Sequence, residues 1–403
     1  MHGEARLVLG RVTTMSAEAP ALDDGAVVVD GPEVRFVGPA DALPEAYQPL
    51  RERALRAPLI TPGLVDAHTH AAWVGSRHAE YVAKLRGEGY EAIAARGGGI
   101  VASMRAIEEA DVDAIASTLV ARLRRMAALG VTTVEVKSGY GLRPELELRQ
   151  LRAISQASRA SGVPRVVPTF LALHALPPES RGGEAMRAAY VARAAELVRE
   201  VAAEGLARFV DAYVDRSAFR VDEARAVLSL AREHGLGVRM HVGQFSDVGG
   251  AELCAELCAR SADHLEHVGD AGLAAMRDAD VAAVLLPIAS FVLGQAPPDV
   301  AAMRRAGLRL VVASDANPGT APSESLPLAM ALAARLYGLS TDEVLAGVTR
   351  EASWSLGVGT GRLEVGARAD LVGWDLPHED ALLQPWGTSR ATFVLRDGAP
   401  LPV

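Results

Sequence analysis

The sequence predicts an α/β protein: a (β/α)8 TIM-like barrel joined to a small β-sandwich that both chain ends build. Three observations point there. Eight short apolar runs alternate with helix-length Ala/Arg/Glu-rich segments between Thr61 and about Gly347. The stretches on either side hold only short strand-like runs and turns. The length of 403 residues is enough for one large barrel plus an accessory unit. Residues 1–60 and 348–403 are therefore assigned to the sandwich and residues 61–347 to the barrel.

In the first stretch, Arg6–Val12, Ala26–Asp30 and Val34–Val37 read as strands, with Asp23-Asp24-Gly25 and Asp30-Gly31-Pro32 as turns. No helix-length periodic segment precedes Thr61. The barrel runs are Gly63–His68, Val131–Val136, Arg165–Leu171, Arg208–Val214, Gly237–His241, Ala262–Glu266, Val281–Leu286 and Arg309–Ser314. Between most of them lies a helical stretch such as Pro144–Ala160, Glu184–Ala203, Asp222–His234 or Gly250–Ala259. Repeated strand–helix units imply parallel strands with crossover helices, and eight imply a closed barrel. An open doubly wound sheet usually stops at about six strands and prefers a Gly-rich first turn, which is absent after Gly63–His68. In the tail, Asp370–Trp374 and Ala391–Leu395 read as strands, with turns at Arg368-Ala369 and Asp397-Gly398. Packing tail against head lets both bury their apolar faces.

Composition narrows the function. Hydrophobic residues at 50% and charged residues at 23% give a globular chain, not a disordered one. The net charge is −9 and the basic residues are scattered, which argues against a nucleic-acid partner. Two cysteines exclude a disulfide framework and suit a reducing compartment. The start, Met1 to Arg6, lacks a signal-peptide pattern. The longest apolar stretch, Val281 to Gly294, is broken by Pro287 and falls short of the roughly 18 residues a membrane helix needs. The expectation is a cytoplasmic enzyme with a small-molecule substrate, no nucleic-acid or membrane partner, and the dimeric state usual for homo-oligomers. Lys84 and Lys137 are the only lysines, a bias that a GC-rich coding sequence produces.

The strongest chemical signal is Asp66-Ala67-His68-Thr69-His70 at the end of the first barrel run. Strand side chains alternate, so both imidazoles share one face. His241 ends the fifth run and Asp315 follows the eighth. All strand C-termini of a parallel barrel lie on one face, so these four residues can converge. Three imidazoles and one carboxylate favour one zinc or ferrous iron ion over magnesium or calcium. His264, in the sixth run, reads as an acid–base or orienting group beside that ion, the alternative being a buried, hydrogen-bonded histidine. His78 and His267 read as structural or solvated. Lys137 follows the second run; a carbamate bridging two metals and an ordinary ammonium are both open, and the ammonium is favoured. Cys254 and Cys258 read as packing residues on one helix. Gly357 to Gly361 follows a helix and precedes a strand, opposite to a dinucleotide fingerprint. Gly97-Gly98-Gly99 has no following Lys-Ser/Thr, so it is not a phosphate-binding loop.

These residues together resemble the metal-dependent amidohydrolase superfamily, and the run from Gly361 to Leu371 is similar to its usual return strand. Within it, several motifs are similar to signatures of the imidazolonepropionase family. They are Gly75-Ser76-Arg77, Gly97 to Ile100, Val134 to Gly141, Thr169-Phe170-Leu171 leading to His174, Ser261 to Leu265, and Ser314 to Thr320. The resemblance implies hydrolysis of 4-imidazolone-5-propanoate to N-formimino-L-glutamate in histidine breakdown. It implies one metal ion on His68, His70, His241 and Asp315, and so disfavours a bridging Lys137. It implies substrate contacts from Arg77, Tyr90, Tyr140 and His174, with Asn317, Gly319 and Thr320 near the amino-acid end. Asp315 and His264 are the expected catalytic pair. Two departures stand out. Where the family commonly carries an acidic residue, this chain reads His241-Val242-Gly243-Gln244, and Gln244 can hydrogen-bond a ring but cannot act as a base. Leu286 to Phe291 also differs from the family's small-polar version. Other cyclic-amide hydrolysis, nucleobase deamination and a catalytically dead binding barrel are the competing readings.

Overall fold

The computed structural model describes residues 5–16, 21–88, 98–386 and 388–403. Two sheets organise them. The first has seven strands in the order β15-β14-β13-β4-β1-β2-β3. Its members are β1 (Arg6–Thr13), β2 (Ala21–Asp30), β3 (Glu33–Pro39), β4 (Leu55–Pro62), β13 (Leu371–Trp374), β14 (Ala391–Arg396) and β15 (Ala399–Leu401). Head and tail thus meet at the antiparallel β4–β13 pair. The sheet curls over itself: Val34 N–H donates to Ala367 O at 2.9 Å, and Glu33 bridges Arg368. Val8, Val12, Val27, Ile60, Leu371 and Leu395 fill the interior so formed.

Several local expectations differ. Asp23-Asp24-Gly25 lies inside β2, because Gly10–Gly25 pairing across a β-bulge overrides the turn signal. Strand β4 and the short β15 were not expected. Residues 40–53 form two 3₁₀ segments before Thr61. Residues 361–370 run as turns, and the return strand starts only at Leu371. Cys254 is buried on its helix, but Cys258 lies past the helix end at Glu256 and is exposed.

The second sheet holds eight parallel strands in strict chain order: β5 (Leu64–Asp66), β6 (Val131–Lys137), β7 (Arg165–Leu173), β8 (Phe209–Val214), β9 (Gly237–Val242), β10 (Ser261–His264), β11 (Ala282–Leu285) and β12 (Leu310–Val312). Helices such as Pro144–Ala157, Glu184–Ala203, Val221–Glu233 and Gly250–Glu256 cross between them. The outward strand residues Val134, Val136, Val210 and Met240 pack against these helices. Closure is made just beyond β5 and β12. Asp315 N–H donates to His68 O (3.0 Å), His70 N–H donates to Ala316 O (3.1 Å), and the buried Asp66 carboxylate accepts from the Ser314 N–H (3.0 Å) and hydroxyl (2.5 Å). Among the described residues, no helix is long and apolar enough to cross a membrane.

Period-two alternation layers the barrel interior. Val65, Val167, Phe209, Val284 and Val311 form an apolar floor, closed by Ala352 and Leu356 from the helix Arg350–Leu356. Further toward the C-terminal mouth, Glu135, Lys137, Asp211, Arg239 and Asp263 form a charged cluster, each fully buried. Above it lie His68, His70, His241 and Asp315.

Trp374 fastens the sheet to the barrel. It is buried, donates from Nε1 to Thr61 Oγ1 at 2.9 Å, and fills the space over Gly130, whose φ is +92°. Trp374→Ala should therefore cost about 3–5 kcal/mol, read as a lowered urea midpoint. A loss below about 1 kcal/mol would show that this joint is not tightly packed.

Candidate metal centre and active site

The four expected ligands converge at the C-terminal mouth. His68 Nδ1 lies 2.6 Å from Asp263 Oδ2, and His241 Nδ1 lies 3.1 Å from Asp211 Oδ1. Ionised carboxylates only accept, so each Nδ1 carries the proton and each Nε2 presents a lone pair. His68 Nε2 is buried without a hydrogen-bond partner, as is His70 Nδ1. The Nε2 atoms of His70 and His241 face each other at 3.2 Å. Asp315 Oδ1 stands 3.5 Å from the Nε2 of both His68 and His70. Lone pairs crowded together out of water repel one another, and a cation between them turns that repulsion into coordination. The donor set therefore fits a divalent metal of borderline softness.

His264 joins this cluster from β10, with its ring centre 5.6 Å from that of His241 and 6.0 Å from that of His68. Its Nδ1 is 3.8 Å from Glu266 Oε2. His264 (φ +84°), Leu265 (+75°) and Asp315 (+53°) all hold the left-handed backbone that non-glycine residues avoid. Such residues cost about 1–3 kcal/mol each and concentrate where a side chain must be aimed. Burial, reinforced by neighbouring cations and imidazoles, holds His68 and His70 well below the usual histidine range. Burial also pushes the Asp315 carboxyl up to about 7. His264 loses to burial but gains more from Glu266 and nearby carboxylates, and ends above its ordinary value.

The expected substrate residues line the rim. His174 stacks on His70 with ring centres 5.3 Å apart, and Tyr140 packs 5.5 Å from His174. His174 Nδ1 donates to Gly139 O at 2.7 Å, which leaves Nε2 as an acceptor, and burial lowers its pKa to about 4. Glu147 shapes the Tyr140 loop by accepting from the Gly139 and Leu142 N–H groups, both at 2.8 Å. Asn317 spends its side chain on its own turn: Oδ1 accepts from Gly319 N–H (2.8 Å) and Thr320 N–H (2.7 Å). The Arg77 guanidinium lies over Gly319, where a Cβ would sit 2.5 Å from Nη1. Arg77 also donates from Nε and Nη2 to Glu80 Oε2, at 2.9 and 2.7 Å. Its fork is thus already engaged with one carboxylate, which the sequence did not suggest. Tyr90 lies outside the described residues. His78 and His267 are exposed.

Gln244 is buried, and its Oε1 accepts from the Tyr213 hydroxyl at 2.9 Å; the Tyr213 ring lies 5.8 Å from His241. Asp215 pins the next two residues, accepting from Phe245 N–H (2.9 Å) and the Ser246 hydroxyl (2.6 Å). At Gly243 there is no room for an acidic side chain. The φ of Gly243 is +65°, and a Cβ there would meet Val268 Cγ2 at 2.5 Å.

The charged layer escaped the sequence reading except for Lys137. Lys137 Nζ donates to Glu135 Oε1 (2.8 Å) and Asp211 Oδ2 (2.7 Å). A carbamate there would set an anion against buried carboxylates, so the ammonium is the form that fits. The signal that could have found this layer is the spacing of two: Glu135/Lys137, Asp211/Tyr213 and Arg239/His241.

Comparison with known proteins agrees with this geometry. The Amidohydrolase family model matches residues 59–403. The chain belongs to that family. Within the amidohydrolases, it is 42% identical over 386 residues to an imidazolonepropionase of Cupriavidus metallidurans, covering 94% of this chain and 92% of the relative. It is 44% identical over 360 residues to one of Xanthomonas oryzae pv. oryzae, covering 88% of each. These relatives place it in the imidazolonepropionase branch of the amidohydrolases. The fold is shared with a zinc-complexed atrazine chlorohydrolase of Arthrobacter aurescens (TM-score 0.73, 18% identity, 98% of this chain and 94% of that one). It is shared too with a zinc-bound adenosine deaminase of Xanthomonas campestris (TM-score 0.69, 20% identity, 98% and 92%).

The raised Asp315 carboxyl gives this amidohydrolase site a pH signature. A cation requires the ionised form, so below about pH 7 it must displace the Asp315 proton, whereas His68 and His70 are already neutral. Zinc affinity of the metal-free protein should fall about tenfold per pH unit below about 7, and Asp315→Asn should flatten the profile. Chelator-competition titrations across that range that show no pH dependence would mean Asp315 is ionised in the free site.

Proposed function

We propose that this chain hydrolyses 4-imidazolone-5-propanoate to N-formimino-L-glutamate in histidine degradation, using one zinc or ferrous iron ion held by His68, His70, His241 and Asp315. The observation that carries the reading is the convergence of these four donors in a chain more than 40% identical, over about nine-tenths of its length, to imidazolonepropionases. The bound ion supplies Lewis acidity, lowering the pKa of a coordinated water from near 16 to about 7.

The chain's own residues do the rest. The water oxygen bonds to the ring carbonyl carbon, the carbon–nitrogen bond breaks, and one water proton ends on the leaving nitrogen. Asp315, the carboxylate beside the water, takes that proton and delivers it to the nitrogen. His264 donates to the developing oxyanion. Neutral His174 presents Nε2 to a ring N–H, and Gln244, held by Tyr213, hydrogen-bonds the ring. Arg77 holds the propionate carboxylate, with Asn317, Gly319 and Thr320 shaping that end of the pocket. We further propose a cytoplasmic location, which two cysteines in the chain suit, and a homodimer, the usual state of homo-oligomers.

The deciding experiment follows freshly generated imidazolone propionate by mass spectrometry with the metal-loaded protein. Formimino-glutamate should form well above the spontaneous rate; metal-loaded protein that yields none would redirect the search to other cyclic amides and nucleobases. Asp315→Asn should lower turnover by about 10²–10⁴-fold, and near-normal turnover would end its role as proton carrier. Arg77→Ala should act mainly by raising KM; an unchanged KM would remove Arg77 from the substrate site.

A further inference from the structure

Lys137 has no part in the chemistry above, yet it lies among the carboxylates that support His68, Thr69 and His241. Its Nζ donates to Asp211, and Asp211 accepts from His241 Nδ1. It lies 3.8 Å from Asp263 Oδ2, the same oxygen that accepts from His68 Nδ1. It donates to Glu135 Oε1, and Glu135 Oε2 accepts from the backbone N–H of Thr69, between His68 and His70, at 3.1 Å. The Lys137 N–H also donates to Thr69 O at 3.0 Å. All these side chains are fully buried.

We propose that Lys137 is a positioning residue of the metal centre: its ammonium ties Asp211, Asp263 and Glu135 into one unit that fixes the orientation of His241, His68 and the intervening strand end. The inference rests on the metal reading given above.

Two facts make the lysine specific. Among the described residues, three buried carboxylates (Glu135, Asp211, Asp263) share two cations, Lys137 and Arg239. Arg239 approaches Glu135 and Asp263 only at 3.9 and 3.7 Å, and it spends its closest contact on Ala67 O at 2.8 Å. Without Lys137 the carboxylates repel one another and swing, and the imidazoles they hold swing with them. The residue type also stands out: Lys137 is one of two lysines among 41 basic residues. A compact ammonium with donors in three directions suits converging carboxylates, where a planar guanidinium does not.

The test measures zinc affinity by chelator competition, with circular dichroism as the check on folding, for the wild-type chain, Lys137→Met, Asp211→Asn and the double variant. Each single variant should stay folded and bind zinc about 10–100-fold more weakly, the usual cost of losing a partner that orients a ligand. The double variant should lose little more than the worse single one, because both act through one unit. Cobalt-loaded Lys137→Met should show a shifted visible spectrum. If Lys137→Met does not fold, Lys137→Met/Glu135→Gln, which removes one charge of each sign, takes its place with the same expectation. Wild-type zinc affinity in a folded Lys137 variant, or fully additive losses, would overturn the proposal. So would a native chain carrying a carbamate mass on Lys137 and two metal ions. A wild-type chain that takes up no zinc at all would instead overturn the metal reading beneath it.

Discussion

Everything at the mouth depends on four donors that cannot rest comfortably together without a cation. Nε2 of His70 faces Nε2 of His241, and Asp315 closes on two imidazoles at once. Water is kept away by burial, so neither solvation nor rotation relieves the crowding. The protein holds this geometry with bonds that also close the barrel. The segments carrying His68, His70 and Asp315 are joined through His68 O, Ala316 O and the Asp66 carboxylate. Barrel closure and site assembly are therefore one event, and a loosened seam would spread the ligands.

The charged layer under the site is the second condition. Buried charges are costly unless they are paired and hydrogen-bonded. Here they are placed between an apolar floor, which keeps the dielectric low, and the imidazoles of His68 and His241, which meet Asp263 Oδ2 and Asp211 Oδ1. Low dielectric strengthens each carboxylate–imidazole contact. Burial also keeps His68 and His70 in the neutral, ligating form, whereas the carboxylates around His264 pull it the other way.

At the rim, two features bear on specificity. Gly243 leaves no room for a side chain, so Gln244 is the residue after His241 that meets the site, and it offers an amide in place of an acid. Proton handling then falls to Asp315, the carboxylate that closes on His68 and His70. Arg77, shared with Glu80, presents less net charge than a lone guanidinium. An incoming carboxylate must compete with Glu80, which favours a ligand that also gains ring contacts with Tyr140 and His174.

The barrel, its eight strands and the four converging donors were all legible in the amino-acid order, because alternation and strand–helix repetition are local properties of the chain. The local signal failed where pairing outweighed it. Asp23-Asp24-Gly25 reads as a turn but is held extended by its neighbour strand, and Leu55–Pro62, with two prolines and no clean alternation, hid a strand. The supports of the site were hidden for a different reason. Asp263 meets His68 from 195 positions away, and Asp211 meets His241 and Lys137 only once β6, β8 and β9 lie side by side. Sequence by itself determined which groups could bind a metal and on which face of the barrel they fall. Only the tertiary structure decided which nitrogens of His68 and His241 face the site and that Lys137 is an ammonium among carboxylates, because hydrogen bonds between distant strands exist only after the barrel has closed.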